Sequence, residues 1–124
     1  MPERRIILEM GTGNDLYGED YTKAACRAVQ DALHHSSIVL FSSLGIDHRE
    51  MQVQVTIGVQ QPERVDTDIV ASELPRGHAV VNVVHGGLNV HDPENGTTHV
   101  VANAAIAAML PITPSDWRLS NSAN

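Results

Sequence analysis

The hydrophobic and polar positions alternate most regularly in the middle of the chain. Between residues 52 and 60, apolar and polar side chains follow one another without interruption, and this pattern predicts a half-buried strand. The polar side of the strand carries Gln52, Gln54, Thr56 and Gln60. Because buried amides need hydrogen-bond partners, we expect this side to meet solvent or a subunit interface.

Shorter apolar runs predict further strands on both sides of this one. Residues 4–10 form a short strand that ends at the glycine-bearing segment 11–15. Residues 78–85 are almost continuously apolar, as is typical of a central strand that is covered on both faces. Residues 99–112 favour a strand, although their alanines also suit a buried helix, and residues 36–44 suit a strand, a helix extension or a loop.

Two segments have the spacing of helices. Asp20 can cap the first helix, whose inner stripe is Ala24, Ala25, Ala28, Val29, Ala32 and Leu33. The second begins at Pro62, carries Val65, Ile69, Val70 and Leu74 inward, and stops at Pro75 and Gly77. The order of elements predicts an α/β fold, with α+β as the alternative, in which two helices pack on a single mixed sheet. We expect one domain over residues 1–112 and a polar tail over residues 113–124.

The composition excludes several classes of partner. The chain of 124 residues has a formal net charge of −7 and only 3% aromatic residues, so it repels nucleic acid and offers bases no stacking platform. The single cysteine, Cys26, cannot form an internal disulfide. No apolar run is long enough to span a membrane, and we expect a cytoplasmic protein.

Two glycine-bearing loops follow predicted strands and hold the candidate chemistry. If the strands run side by side, segments 11–18 and 85–89 form the walls of one pocket, with Asp15 and His85 inside it. Leu16 stands where a dinucleotide fingerprint needs glycine, and the Gly-Lys-Ser/Thr of a P-loop is missing. In the competing structural interpretation, Gly11, Gly13 and Gly18 supply positive φ angles and Asp15 or Asn14 caps a turn.

The first loop, Gly11-Thr12-Gly13-Asn14-Asp15-Leu16-Tyr17-Gly18, resembles the G-x-G-x-D-x-H-G signature of a family of conserved hypothetical proteins. Similar segments continue through most of the chain, at 22–29, 53–59, 62–66, 86–88 and 100–105. Two positions depart from the family pattern, since Tyr17 replaces the signature histidine and His85 stands where an acidic residue is expected. The resemblance implies the fold and the position of the site rather than a reaction.

These features suggest a small-molecule enzyme that uses general acid/base chemistry without a cofactor. The reaction would be isomerisation, including tautomerisation, or hydrolysis of a small polar acid or cyclic amide. The candidate catalytic residues are Asp15, His85, Tyr17 and Glu9, and the candidate substrate-binding residues are Gly11, Gly13, Arg27, Gly86, Gly87 and Asn103. We also expect a homo-oligomer, because small α/β domains often complete their sites between subunits.

Two alternatives stay open on the sequence. The same loops can shape a non-catalytic ligand-binding or oligomeric assembly protein. A metal-dependent hydrolase would use His85, His91 and His99, but their spacing fits no compact ligand motif.

Overall fold

The computed structural model describes residues 3–34, 52–74 and 78–111. The strands are β1 (Glu3–Asp15), β2 (Gln52–Val59), β3 (His78–His85), β4 (Leu88–Asp92) and β5 (Thr97–Pro111), and the helices are α1 (Tyr21–His34) and α2 (Thr67–Ala71). The ambiguous segment 36–44, the predicted helix stop at Pro75 and Gly77, and the tail 113–124 lie outside the described residues.

The five strands form one sheet, in the order β1-β5-β2-β3, and β4 pairs with β5 beyond the end of β2. Strand β5 is antiparallel to β1, β2 and β4, whereas β2 and β3 are parallel. The sheet is therefore mixed and carries two helices, which confirms the predicted fold class. Residues 99–112 belong to a strand as far as Pro111, and this strand is the centre of the sheet.

The prediction that β3 is a central strand was wrong. Strand β3 pairs only with β2 among the described strands and lies at the edge of the sheet. Its inward residues Val81 and Val83 pack against the core, while Val80 and Val84 are 54% and 47% exposed. A run of valines shows that both faces of a strand are apolar, but it does not show whether a neighbouring element covers both.

Strand β1 is longer than predicted, because the glycine-bearing segment 11–15 continues the strand instead of ending it. Gly11 and Gly13 are buried beneath α1, and a Cβ atom on either one would overlap the helix backbone at Ala28. The described glycines with positive φ are Gly87 and Gly96. The structural interpretation of Gly11, Gly13 and Gly18 as positive-φ residues was therefore wrong, since the first two permit a close approach between helix and strand.

Helix α1 is built as the sequence predicts. The Asp20 carboxylate accepts a hydrogen bond from the Lys23 backbone N–H at 3.0 Å and caps the helix. The alanine stripe is buried, and α1 lies mainly over β1 and β5, within a core cluster that also holds Val55 and Ile57 of β2. Full burial of a valine or isoleucine side chain contributes roughly 1.5–3 kcal/mol, so these strands supply much of the core's stability.

The second helical segment is shorter than its pattern indicates. A 3-10 turn at Pro62–Arg64 comes first, and α2 begins only after Asp66, whose side chain accepts from the backbone N–H groups of Asp68 and Ile69. Within α2, Val70 is buried but Ile69 is 49% exposed. In the described ranges, no helix has both the length and the apolar character that crossing a bilayer requires.

Candidate functional site

Asp15 ends β1 and is only 5% exposed. Its Oδ2 atom accepts hydrogen bonds from the backbone N–H groups of Gly18, at 3.1 Å, and Asp20, at 3.0 Å. The segment between β1 and α1 thus folds around one carboxylate oxygen. Because both donors belong to the backbone, they fix the orientation of the carboxylate and leave its second oxygen, Oδ1, to face α1.

Two cations from α1 flank that second oxygen. Lys23 Nζ and Arg27 Nη1 each lie 3.7 Å from Asp15 Oδ1. Residues four apart share one face of a helix, so α1 presents both cations to the end of β1. At 3.7 Å these contacts are ion pairs rather than direct hydrogen bonds. The N–H groups of either cation can therefore donate hydrogen bonds to a ligand atom.

Arg27 also reaches the strand itself. Its Nη1 atom donates a hydrogen bond to the Asn14 carbonyl at 2.7 Å. The side chain is therefore directed toward the end of the sheet, as a substrate-binding role requires. A guanidinium has five N–H donors, so Arg27 keeps donors beyond the one engaged by Asn14.

A cavity of about 450 Å³ lies beside Asp15. Its polar lining includes Asn14, Asp15, Tyr17, Asp20, Lys23 and Arg27. Two carboxylates and two cations balance one another here, although the chain as a whole carries a net charge of −7. Tyr17 is 75% exposed, and its ring meets the ring of His99 edge to face with centroids 6.1 Å apart. The site thus combines a fixed carboxylate, a phenol and two cations around one space.

The other candidate residues of β1 and β5 lie elsewhere. Glu9 is on the same side of β1 as Asp15, but six residues of extended strand separate them by about 20 Å. Gly11 and Asn103 line a second cavity of about 480 Å³, together with Thr12 and Thr56. Gly13 is covered by the backbone of α1.

His85 and Asp15 lie at the same end of the sheet, because β1 and β3 run in the same direction and each residue ends its strand. Strands β5 and β2 stand between them, which corresponds to about 14 Å at the usual strand spacing. His85 is not among the residues that line the Asp15 cavity. Within one chain the structure therefore brings together Asp15, Tyr17 and Arg27, and it places His85 apart from them.

Gly86 and Gly87 form the tight connection between β3 and β4. The Gly86 N–H donates to the Val59 carbonyl at 2.9 Å, and the Gln60 side chain donates to the Gly86 carbonyl at 3.0 Å. Gly87 has a φ of 62° and lies against Gly58 and Val101. These contacts explain why glycine occupies both positions: the backbone packs closely against neighbouring strands there.

The sequence analysis missed Lys23 as a site residue, because Lys23 lies outside the inner apolar stripe of the first helix and such positions usually face water. Lys23 is indeed 53% exposed, yet its ammonium group approaches the buried Asp15. The available signal was its position four residues before Arg27, at the start of the helix that follows the Asp15 strand.

The three histidines of the metal alternative do not converge. His91 Nδ1 lies 3.3 Å from Thr98 Oγ1 on the α1 side of the sheet, whereas His99 pairs with Val90 and lies on the opposite side. In the part of the chain that the structure describes, no group of three or more metal-binding side chains is placed to hold an ion.

The Cys26 thiol in α1 and the Asp92 carboxyl at the end of β4 have shifted pKa values. Burial, reinforced by the nearby Glu73 carboxylate, raises the pKa of the Cys26 thiol to about 11. Cys26 is therefore a poor nucleophile at neutral pH. A hydrogen bond from the Asn95 side chain lowers the pKa of Asp92, which stabilises the turn between β4 and β5.

The fold and the site together define a class of protein. It is an α/β domain with a mixed sheet, in which a capped helix packs on the glycines of the first strand and a carboxylate lies at the end of that strand. The chain belongs to the family described as conserved hypothetical protein (Lin0512_fam), which matches residues 5–108. It is similar to a crystal structure of an FtsZ-like protein of unknown function from Nostoc punctiforme, with 33% identity and a TM-score of 0.77. That similarity covers 89% of this chain and 98% of the Nostoc chain. A comparison with curated proteins finds no match.

Proposed function

We propose that this chain is a small-molecule enzyme that uses general acid/base chemistry at the Asp15 cavity. The reaction would be isomerisation, including tautomerisation, or hydrolysis of a small polar acid or cyclic amide in the cytoplasm. One observation carries the proposal: a buried carboxylate has one oxygen fixed by two backbone N–H groups and the other turned toward a cavity between two cations.

In this mechanism the Asp15 Oδ1 atom accepts a proton from the substrate in an isomerisation, or from an attacking water in a hydrolysis whose leaving nitrogen is then protonated. Lys23 and Arg27 hold the substrate's carboxylate or carbonyl oxygen and stabilise the negative charge that develops when the proton leaves. The Tyr17 phenol lines the same cavity and is the candidate for returning a proton. Tyr17 replaces the histidine of the family signature that segment 11–18 resembles, so a phenol would act here where an imidazole is the usual group.

His85 takes no part in this mechanism within one chain. Strands β5 and β2 separate it from Asp15, and proton transfer requires hydrogen-bond reach. We therefore assign the acid/base work to Asp15 and Tyr17 and the binding work to Lys23 and Arg27.

A second candidate function, non-catalytic binding of a small anion, has support from the same geometry. Both hydrogen bonds to Asp15 Oδ2 stabilise the turn that leads into α1, and the two cations partly neutralise Oδ1. A carboxylate whose two oxygens are engaged in this way has few lone pairs left for a substrate proton. In this case Asp15 would position Lys23 and Arg27 for a ligand that leaves unchanged.

Solvent exchange tests the enzymatic proposal without knowledge of the product. Small carboxylic acids, keto acids and cyclic amides are first screened for their effect on the melting temperature. Those that raise it are incubated in D₂O with the protein, and deuterium incorporation and hydrolysis are followed by NMR. We expect Asp15→Asn to lose exchange or hydrolysis by at least about 100-fold, as removal of a general base does.

The matched control is Asp68→Asn, the same chemical change at an exposed position of α2. It should keep the wild-type rate. Lys23→Gln and Arg27→Gln should weaken binding about 10-fold each, through the loss of a charge-assisted hydrogen bond. Wild-type turnover by Asp15→Asn would refute the enzymatic role, and ligand binding without any chemical change would favour the binding protein.

A further inference from the structure

The face of the sheet that α1 does not cover bears three rows of side chains. We call these twelve positions the open face: Leu8, Ala107, Gln54 and Val80; Met10, Ala105, Thr56 and Asn82; Thr12, Asn103, Gly58 and Val84. None of the twelve is Asp, Glu, Lys or Arg, although 19% of the chain is charged. A solvated sheet face ordinarily carries charges, so this face has the composition of a buried surface.

Exposed apolar side chains concentrate on the same side. The described part of the chain has nine exposed large hydrophobic residues, and six of them are on this side. Four belong to the open face, namely Leu8, Met10, Val80 and Val84, and two extend it along β4, namely Leu88 and Val90. Exposed apolar side chains are therefore gathered on one side of the sheet, along both outer strands and β4.

The open face also has a shape that can fit a copy of itself. Its large side chains stand on the outer strands β1 and β3, for example Met10, 66% exposed, and Val80, 54% exposed. The inner strands β5 and β2 present the small residues Ala105, Ala107 and Gly58 beside the longer polar side chains of Gln54 and Asn103. The apolar side chains of the outer strands can therefore pack over the small positions of a second copy, as side chains of packed sheets interdigitate.

We infer that the open face is covered by the open face of a second copy of this chain. Each copy carries a net charge of −7, so two copies repel one another least where they meet through a face without charges, and burial of the apolar side chains there supplies the attraction. The amides of Gln54, Asn82 and Asn103 can pair across the interface, which avoids burying unsatisfied polar groups.

The area of the open face is compatible with an interface between two copies of the chain. Four strands about 4.8 Å apart and three rows about 6.8 Å apart give a footprint of roughly 400 Å². Gln52, Met109 and the outward side chains of β4 extend it toward the roughly 800 Å² that each partner buries in a specific interface. The inference is independent of the proposed function, because the Asp15 side chain lies on the α1 side of the sheet.

A charge-swap experiment tests the inference. Gln54→Lys and Gln54→Glu place opposite charges on an inner strand of the open face, and Gln61→Lys and Gln61→Glu make the same changes at an exposed position beyond β2. Masses are measured by light scattering at micromolar concentration. We expect at least twice the 13.4 kDa of one chain for the wild type and both Gln61 variants, and an at least 10-fold weaker association for each Gln54 variant alone.

Mixing the two Gln54 variants should restore association, because Lys and Glu then face each other across the interface. A monomeric wild type, unchanged association of the Gln54 variants, or a mixture that stays monomeric would each overturn the inference. Circular dichroism checks folding, and Thr12→Lys with Thr12→Glu, on the same face, replaces any Gln54 variant that fails to fold.

Discussion

Gly13 lies directly against Ala28, and a methyl group on its Cα would overlap the backbone nitrogen of that residue. This contact sets the distance between β1 and α1 at its minimum. The close approach carries Lys23 and Arg27 over the end of β1, where both reach the Asp15 carboxylate. The glycines of the first strand therefore determine the geometry of the site without contributing a side chain to it.

Substitution of Gly13 by alanine should destabilise the fold by about 2–3 kcal/mol or more, because the new Cβ must push α1 away from β1. The change is measured by urea unfolding followed by circular dichroism. Glu94→Ala, at an exposed position of the turn between β4 and β5, is the control and should stay within about 0.5 kcal/mol of the wild type. Equal stability of Gly13→Ala and the wild type would contradict the close packing.

Gly87 and Gly96 offer a matched pair, since their φ angles are 62° and 65°. A Cβ on Gly96 would meet open space, whereas one on Gly87 would overlap the Val101 carbonyl oxygen. Both alanine variants should lose about 1 kcal/mol of unfolding free energy to the left-handed backbone. Gly87→Ala should lose about 1–3 kcal/mol more through the overlap, and similar losses in both would disprove its packing role.

The thiol of Cys26 should react slowly with iodoacetamide. Burial and then the Glu73 carboxylate raise its pKa from 9.0 to about 11, which lowers the thiolate fraction at pH 8 about 100-fold. Glu73→Gln should accelerate alkylation of the folded protein, and Glu63→Gln, on the exposed 3-10 turn, should not. A Cys26 that reacts like a free thiol would contradict the assigned surroundings.

The same thiol makes stability depend on pH in the alkaline range. The unfolded chain loses the Cys26 proton near pH 9 and the folded chain near pH 11. The contribution of Cys26 to stability is therefore complete below pH 9 and is lost as pH rises toward 11. Cys26→Ser should therefore lose less unfolding free energy than the wild type between pH 9 and pH 11, as measured by urea unfolding at each pH.

Much of the architecture could be predicted from local pattern. The alternation from Gln52 predicted β2, and the alanine spacing after Asp20 predicted α1 with its capping residue, because both depend on neighbours in sequence. Strand β4 (Leu88–Asp92) was missed, since its first residues lie in segment 85–89, which was interpreted as a loop because of its two glycines. The end of β1 was misplaced because glycines usually break strands, and only the packing of α1 shows why they are tolerated here.

The candidate site was predicted in part. Asp15, Tyr17 and Arg27 share a cavity, because all three lie within one strand–turn–helix unit. His85 was expected beside them, and the expectation required β1 and β3 to be neighbours. The order of strands in a sheet depends on long-range pairing, which the sequence of a single strand does not encode.

The sequence by itself determined the elements with regular spacing, the uncharged polar side of β2 and the carboxylate that follows the first strand, since these are properties of adjacent residues. The tertiary structure alone decided that β5 occupies the centre of the sheet, that Lys23 joins Arg27 at Asp15, and that both helices of the described residues pack on the same face of the sheet. The physical reason is that hydrogen-bond pairing between distant strands and the contact of a helix with glycine backbone arise only when the whole domain has packed.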